Sequence, residues 1–564
     1  MSSLFKRTYS LTLFSFITVI SFSQPVPKGW HLLDQKASGF YGISLDKAYD
    51  FVKAKKLKSK PVIVAVLDTG IDTTHEDLKT ILWINSKEIP GNGVDDDKNG
   101  YVDDINGWNF LGGKDGRNIK TDSYEKARVY HRFKTKYNDK EIDEKTLTPD
   151  ELFEYQMWKR AEKEINDGEE GGEIIDVLEI KTVLRKVEEG NTILKKAMGK
   201  EVFTGKELKA FVTTDIEVRK AKNNVLALME GNDMLESTNA DFVEGFTDFV
   251  NEEIKKSEAK EKAPKPYREE IVKDNYEDFN DKFYGNNDIM ASTSMHGTHV
   301  SGLIAAARNN GKGINGVADN VKIMMVRMLA DGDEHDKDIA LAIRYAVDNG
   351  ASIINMSFGK SYSPEKKWVD DAVRYAESKG VLLIHAAGNE SKNIDKEFNF
   401  PCAAFQFDNK RPNNWITVGA SGDPKTGGLA AYFSNYGKNE VDVFAPGVST
   451  YSTQPGANGY GNLQGTSFSS PIIAGMAAFI LNYYPNLSAR QVKYVIEKSA
   501  TVPDVKVTKP GTNEQVYLSD ICKTGGLANV YEAIKLASTL KGERNSKAPA
   551  PVITKSTVKP KTKG

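Results

Sequence analysis

Cysteine is nearly absent: Cys402 and Cys522 are the only two in 564 residues. Two residues exclude a disulfide framework and leave either one bridge or two separate buried thiols. Long apolar runs are missing too. The N-terminal one, Leu11 to Phe22, is 12 residues long, short of the roughly 20 that span a bilayer, and no later stretch is long and apolar enough to span one. Charge of one sign is not in excess: 76 basic residues face 78 acidic ones. That balance removes the electrostatic footprint of a nucleic-acid partner. Apolar residues make up only 39%, and the deficit is concentrated in one block, described below.

Lys6 and Arg7 precede the short apolar run, and Ser21 and Ser23 sit at its end, where small residues favour cleavage. This is the pattern of a cleaved export signal over 1–23, which implies a periplasmic or extracellular protein without a transmembrane segment after cleavage. Residues 24–60 form an N-terminal extension with one candidate helix in DKAYDFVKAKKLKSK. Dense apolar runs then recur at 61–68, 321–328, 351–356, 381–387, 415–420 and 441–445. Amphipathic stretches closed by glycine, such as IALAIRYAVDNG and KKWVDDAVRYAESKG, lie between several of them. Continuous apolar strands alternating with helices predict an α/β fold, a mainly parallel sheet with helices on both faces, over 61–115 and 288–540.

Residues 116–287 carry the missing hydrophobicity. They are rich in lysine and glutamate and read as a charged helical insertion. In TPDELFEYQMWKRAEKEI, Thr148 is the expected cap and Leu152, Tyr155, Trp158 and Ile165 share one face. KKSEAKEKAPKPYREE reads as a solvated linker, and 541–564 as a disordered basic tail.

Three segments carry chemistry: VIVAVLDTGID, HGTHVSG and GTSFSSPIIAG. They offer Asp68 at a strand end, His296 in a glycine-rich turn and Ser467 at the start of an apolar helix. A serine hydroxyl is a poor nucleophile until a base takes its proton, and the base needs a group that fixes its tautomer. A helix N-terminus adds free N–H groups and the positive end of a dipole. Asn389, in VLLIHAAGNE, follows another strand and could present its amide N–H to an oxyanion. The pair His296 and His299 lacks the spacing and the glutamate of a zinc protease helix. A single D-T-G excludes the paired aspartates of an aspartic protease.

With VAVLDTGID, HGTHVSG, NMSFG, AAGNE, ITVGASG, VDVFAPG and GTSFSSP in this order, the chain resembles the subtilases, the subtilisin-like serine peptidases. The resemblance implies an endopeptidase acting on proteins or peptides through an acyl-enzyme. Asp68 would orient, His296 act as base and acid, Ser467 attack, and Asn389 bind the oxyanion. It further implies that Ser357, Phe358 and Gly359 pair with substrate backbone and that Ala386, Ala387 and Gly388 line the specificity pocket. A different reading keeps the scaffold but makes it catalytically silent, with the insertion binding a protein partner. Phe468 follows Ser467 where many subtilases carry methionine, and 24–60 is short for the usual folding prodomain.

One more motif stands apart. DDDKNGYVDDIN places Asp95, Asp97, Asn99, Tyr101 through its carbonyl, and Asp103 at alternate positions, with Gly100 at the turn. This is the oxygen spacing of a calcium loop. Asn106 stands where a bidentate glutamate is usual, so Asp104 is the expected substitute ligand.

Overall fold

The computed structural model describes residues 26–544 apart from 168–176, 232–233, 236–237, 259, 261, 292–293, 409 and 425–426. The expected signal and the tail beyond 544 lie outside the described residues.

The six apolar runs become β1 (Val62–Asp68), β3 (Val321–Arg327), β4 (Ile353–Met356), β5 (Leu382–Ala386), β6 (Trp415–Ser421) and β7 (Val443–Pro446), and a short strand that the sequence did not announce, β2 (Gly107–Asn109), makes seven. They pair in the order β2-β3-β1-β4-β5-β6-β7, every neighbour parallel. A separate antiparallel hairpin, β8 (Thr450–Gln454) and β9 (Gly459–Leu463), was not evident in the sequence.

Among the described residues, the α-helices of five residues or more are α1 (Leu45–Ala54), α2 (Glu125–Tyr137), α3 (Pro149–Asp167), α4 (Val177–Met198), α5 (Gly205–Ala210), α6 (Ile216–Gly231), α7 (Asn239–Glu258), α8 (Tyr267–Ile271), α9 (Met295–Ala305), α10 (Asp336–Asp348), α11 (Lys366–Ser378), α12 (Thr466–Tyr483), α13 (Ala489–Lys498) and α14 (Val530–Ala537).

Strand side chains alternate between faces, so an all-apolar strand feeds two cores. Val62, Val64 and Val66 of β1 pack with α9, α12, α13, α14 and α1. Ile63, Ala65 and Leu67 pack on the opposite side with α10 and α11. The N-terminal extension belongs to the first of these cores: Ile43, Leu45, Ala48 and Val52 are buried in it, and Trp30 Nε1 donates to Val448 O at 3.1 Å.

Within 116–287, α2 and α3 share a core of Tyr130, Phe133, Tyr137, Tyr155 and Trp158 that also takes in Tyr362. Helices α4 to α7 bury Val187, Leu194, Phe203, Val225 and Phe242 among themselves. Thr148 caps α3 as expected, accepting from Glu151 N at 3.3 Å while Glu151 accepts from Thr148 N at 2.9 Å.

Several boundaries differ from expectation. The linker reading fails at α8, where Arg268 is buried and paired with Asp338 at 2.7 Å. Val272 and Tyr284 join the second core, so the segment rejoins the sheet domain before 288. Residues 541–544 are exposed to half-buried but hydrogen-bonded to the sheet domain: Arg544 N donates to Asn486 O at 2.8 Å and Glu543 N to Gln491 Oε1 at 2.9 Å. Cys402 and Cys522 are both free.

Candidate active site

The strand order reverses at β1. Its neighbour β3 lies on one side and β4 on the other, and ligands collect outside the carboxyl ends of strands at such a switch. Asp68 ends β1, residues 357–359 follow β4, and residues 387–389 follow β5. The topology therefore brings three of the five expected catalytic and binding segments to one rim.

His296 sits in the first turn of α9, and its Nδ1 lies 2.8 Å from Asp68 Oδ1. That approach needs Gly297: a Cβ there would lie 2.1 Å from Gly70 O and 3.0 Å from Asp68 Oδ1. The Asp68 carboxylate is fully buried. Oδ1 also accepts from Thr69 N at 2.7 Å, while Oδ2 has no hydrogen-bond partner among the described residues. An imidazolium is the natural counter-charge for such a group. Burial, the largest influence on His296, would by itself lower its pKa; the charge and hydrogen bond of Asp68 outweigh it and raise the pKa above the ordinary 6.5.

A base must be neutral to accept a proton, so the acid limb of a kcat/KM–pH profile is expected above pH 6.5. The stability contribution runs the other way. It is complete below pH 6.5 and is lost as pH rises through the folded-state pKa. A kcat/KM profile with its acid limb below pH 6 would contradict this placement.

His299, one turn further, is not poised as a ligand. Its Nε2 faces Thr450 O at 3.1 Å on the hairpin, and burial pushes its pKa to about 3. The hairpin also holds α9 through Thr453 Oγ1 to Thr298 O, 2.8 Å, and Ser452 Oγ to His299 O, 2.9 Å.

Ser467 is the second residue of α12, whose Gly465 cap has φ +145°. Pro471 has no N–H to offer the carbonyl four residues back, which is that of Ser467. Ser357 Oγ fills the gap, donating to Ser467 O at 2.8 Å, and Ser467 Oγ donates in return to Ser357 O at 3.0 Å. In this state the hydroxyl faces Ser357 rather than His296. The neighbouring Phe468 ring lies 5.3 Å from the His296 ring, so the two segments share one wall.

Asn389 is fixed from one side. Its Oδ1 accepts from Thr466 N at 2.8 Å and Thr466 Oγ1 at 3.0 Å, which directs its NH2 away from α12's backbone. Thr466 Oγ1 in turn accepts from Gly388 N at 3.0 Å. Gly388 has φ +100°, and a Cβ there would lie 2.3 Å from Asn435 Nδ2. Ala386 and Ala387 are buried; Ala387 O accepts from Asn399 at 3.1 Å and Asn435 at 2.9 Å. Phe358 O is held by His385 Nε2 at 2.7 Å. Thr466, His385 and Asn399 escaped the sequence reading. Thr466 had a signal in its place beside Ser467; the others had none.

The acidic loop divides. Carboxylate oxygens of Asp95 and Asp97 lie with one of Glu88 within 4.8 Å of one another. Asn99 N donates to both aspartates, and Asn99 Oδ1 accepts from Tyr101 N. Asp103 instead accepts from Gly91 N and Gly93 N, both at 2.8 Å. Asp104 accepts from Tyr345 OH at 2.6 Å and Asn85 at 2.7 Å, and burial pushes its pKa up to about 6. Glu88, outside the quoted motif, joins Asp95 and Asp97 in the cluster, and the carboxylates of Asp103 and Asp104, both expected as ligands, are not part of it. Three hard oxygen donors suit calcium.

A buried carboxylate against an imidazole, beside a serine at the mouth of an apolar helix, is the equipment of a serine hydrolase. The family model of the subtilases matches residues 59–520. Subtilisin DY of Bacillus licheniformis is 40% identical over 209 residues, 36% of this chain and 70% of that protein. The thermophilic serine proteinase of Bacillus sp. strain AK1 is 38% identical over 236 residues, 42% of this chain and 52% of the relative. Among solved structures, a protease from Pseudoalteromonas arctica PAMC 21717 is similar at 20% identity, covering 90% of this chain and 96% of its own, with a TM-score of 0.42. The chain belongs to the subtilase family, and it is a serine endopeptidase of that family.

Proposed function

We propose that the protein is an exported endopeptidase that opens peptide bonds through an acyl-enzyme built on Ser467, His296 and Asp68. The observation that carries the reading is the 2.8 Å contact between His296 Nδ1 and the buried Asp68. It leaves Nε2 as the free, basic nitrogen. Substrate backbone entering along 357–359 offers an N–H to Ser357 O, which displaces the Ser467 hydroxyl toward that nitrogen. Nε2 takes the hydroxyl proton as Oγ bonds to the scissile carbonyl carbon. The Asn389 NH2 and the Ser467 N–H receive the oxyanion. His296 then gives its proton to the leaving amine, and the C–N bond breaks. Water repeats the steps on the acyl-enzyme, releasing the acid and restoring Ser467.

A fluorophosphonate probe should label the purified chain at Ser467 and leave Ser467→Ala unlabelled. Labelling at another residue, or none, would rule this mechanism out. Export rests on the charged and apolar N-terminus; no helix among the described residues is long and apolar enough to cross a membrane. Substrate class follows the family, with proteins or peptides bound by backbone pairing that tolerates many sequences.

Calcium is proposed for the loop at Glu88, Asp95 and Asp97, with Asn99 and the Tyr101 carbonyl alongside. The ion would neutralise clustered carboxylates and clamp the turn; it takes no part in the peptide-bond chemistry. A ligand held only by the folded chain stabilises it by about 2.7 kcal/mol at 100 times its Kd. Chelation should therefore lower Tm by several degrees, and calcium but not sodium should restore it. An unchanged Tm would remove calcium from the account.

A further inference from the structure

Residues 358–361 are gripped by side chains, and the grip comes partly from the insertion. His385 holds Phe358 O at 2.7 Å. Lys360 is buried, with its ammonium 2.7 Å from Glu125 Oε2, 2.9 Å from Asp336 Oδ1 and 2.6 Å from Glu334 O. Arg160 donates to Ser361 O and lies over the rings of Tyr362 at 4.0 Å and Phe398 at 4.4 Å. Glu125 opens α2, and Arg160 projects from α3. Glu125 is itself held by the Arg128 guanidinium, 2.7 Å to Oε2 and 3.2 Å to Oε1.

The same grip reaches the opposite wall. Lys360 and Phe400 exchange backbone hydrogen bonds in both directions at 2.8 Å, and Asn399 between Phe398 and Phe400 donates to Ala387 O at 3.1 Å. The walls formed by 357–359 and 386–388 are thus spaced by segments that α2 and α3 hold in place. A planar guanidinium stacked between rings and a buried ion pair both fix position more closely than a surface contact does.

We infer that Glu125 and Arg160 are positioning residues of the substrate edge, through which the first two helices of the insertion set how a polypeptide docks beside Ser467. The inference rests on the reading of 357–359 as the substrate-pairing edge. Among the described residues, neither side chain hydrogen-bonds or ion-pairs with Asp68, His296 or Ser467. Loosening them should therefore harm extended substrates and spare a small acyl ester, which uses the nucleophile without the edge.

Glu125→Gln and Arg160→Gln in the full chain provide the test, with rates normalised to sites titrated by a fluorophosphonate so that misfolded molecules drop out. The ratio of kcat/KM for a tetrapeptide substrate to that for a small alkyl ester should fall at least tenfold, chiefly through KM. Ester hydrolysis per titrated site should stay within twofold of wild type. Arg160 lies near the surface, so its variant tests the idea even if the Glu125 variant folds poorly. A wild type that hydrolyses both substrates, with the ratio unchanged in the variants, would overturn the inference alone. A wild type that hydrolyses neither would overturn the peptidase reading and this inference with it.

Discussion

Replacing Ser467 by alanine is expected to lower kcat by roughly 10^6, the cost of removing the nucleophile from a serine–histidine–aspartate unit. The fold should survive. The substitution removes one hydrogen bond, to Ser357 O, worth about 1 kcal/mol. The backbone contact from Ser357 Oγ to Ser467 O, which covers for the proline four residues on, remains possible. Steady-state hydrolysis of a peptide library, with Tm measured alongside, separates the two effects. A variant that kept more than a tenth of the wild-type rate would mean that another residue attacks.

Asp68→Asn should cost about 10^4 in kcat with the geometry preserved. Asparagine fits the same space against Gly297 and Gly70, but its amide cannot hold the imidazole with the proton on Nδ1 and cannot balance an imidazolium. The same change should move the acid limb of the kcat/KM–pH profile downward, because it removes the group that raises the His296 pKa. A loss below tenfold, or an unmoved acid limb, would show that the 2.8 Å contact is not part of the working machine.

The candidate site was legible because each of its groups sits where the chain changes from strand to turn or from turn to helix. Asp68 ends an all-apolar run, Ser467 opens another, and glycines mark the close approaches at 297, 388 and 465. The sheet was legible for a related reason, since β1 has no polar position before Asp68 and must be covered on both faces. What escaped depends on partners distant in the chain. Glu125 and Lys360 are 235 positions apart; Glu125 reads as a solvated residue of the charged block, and Lys360, in the loop after β4, carries no sign of its partner. Arg268 was hidden the same way inside a charged run. Glu88 lies outside the alternating aspartates, so spacing could not recruit it. His385 sat one residue before the pocket segment and read simply as part of an apolar strand.

The stretch running from Trp30 to Val52 has a bearing on how the chain matures. Its indole closes onto the backbone before the β8–β9 hairpin, and its helix fills the core that α12 anchors. A detachable folding chaperone leaves a finished enzyme behind when it is cut away. Excising this stretch would instead open a void beneath the helix that carries Ser467, so the wall on which the nucleophile stands depends on residues that precede the first strand.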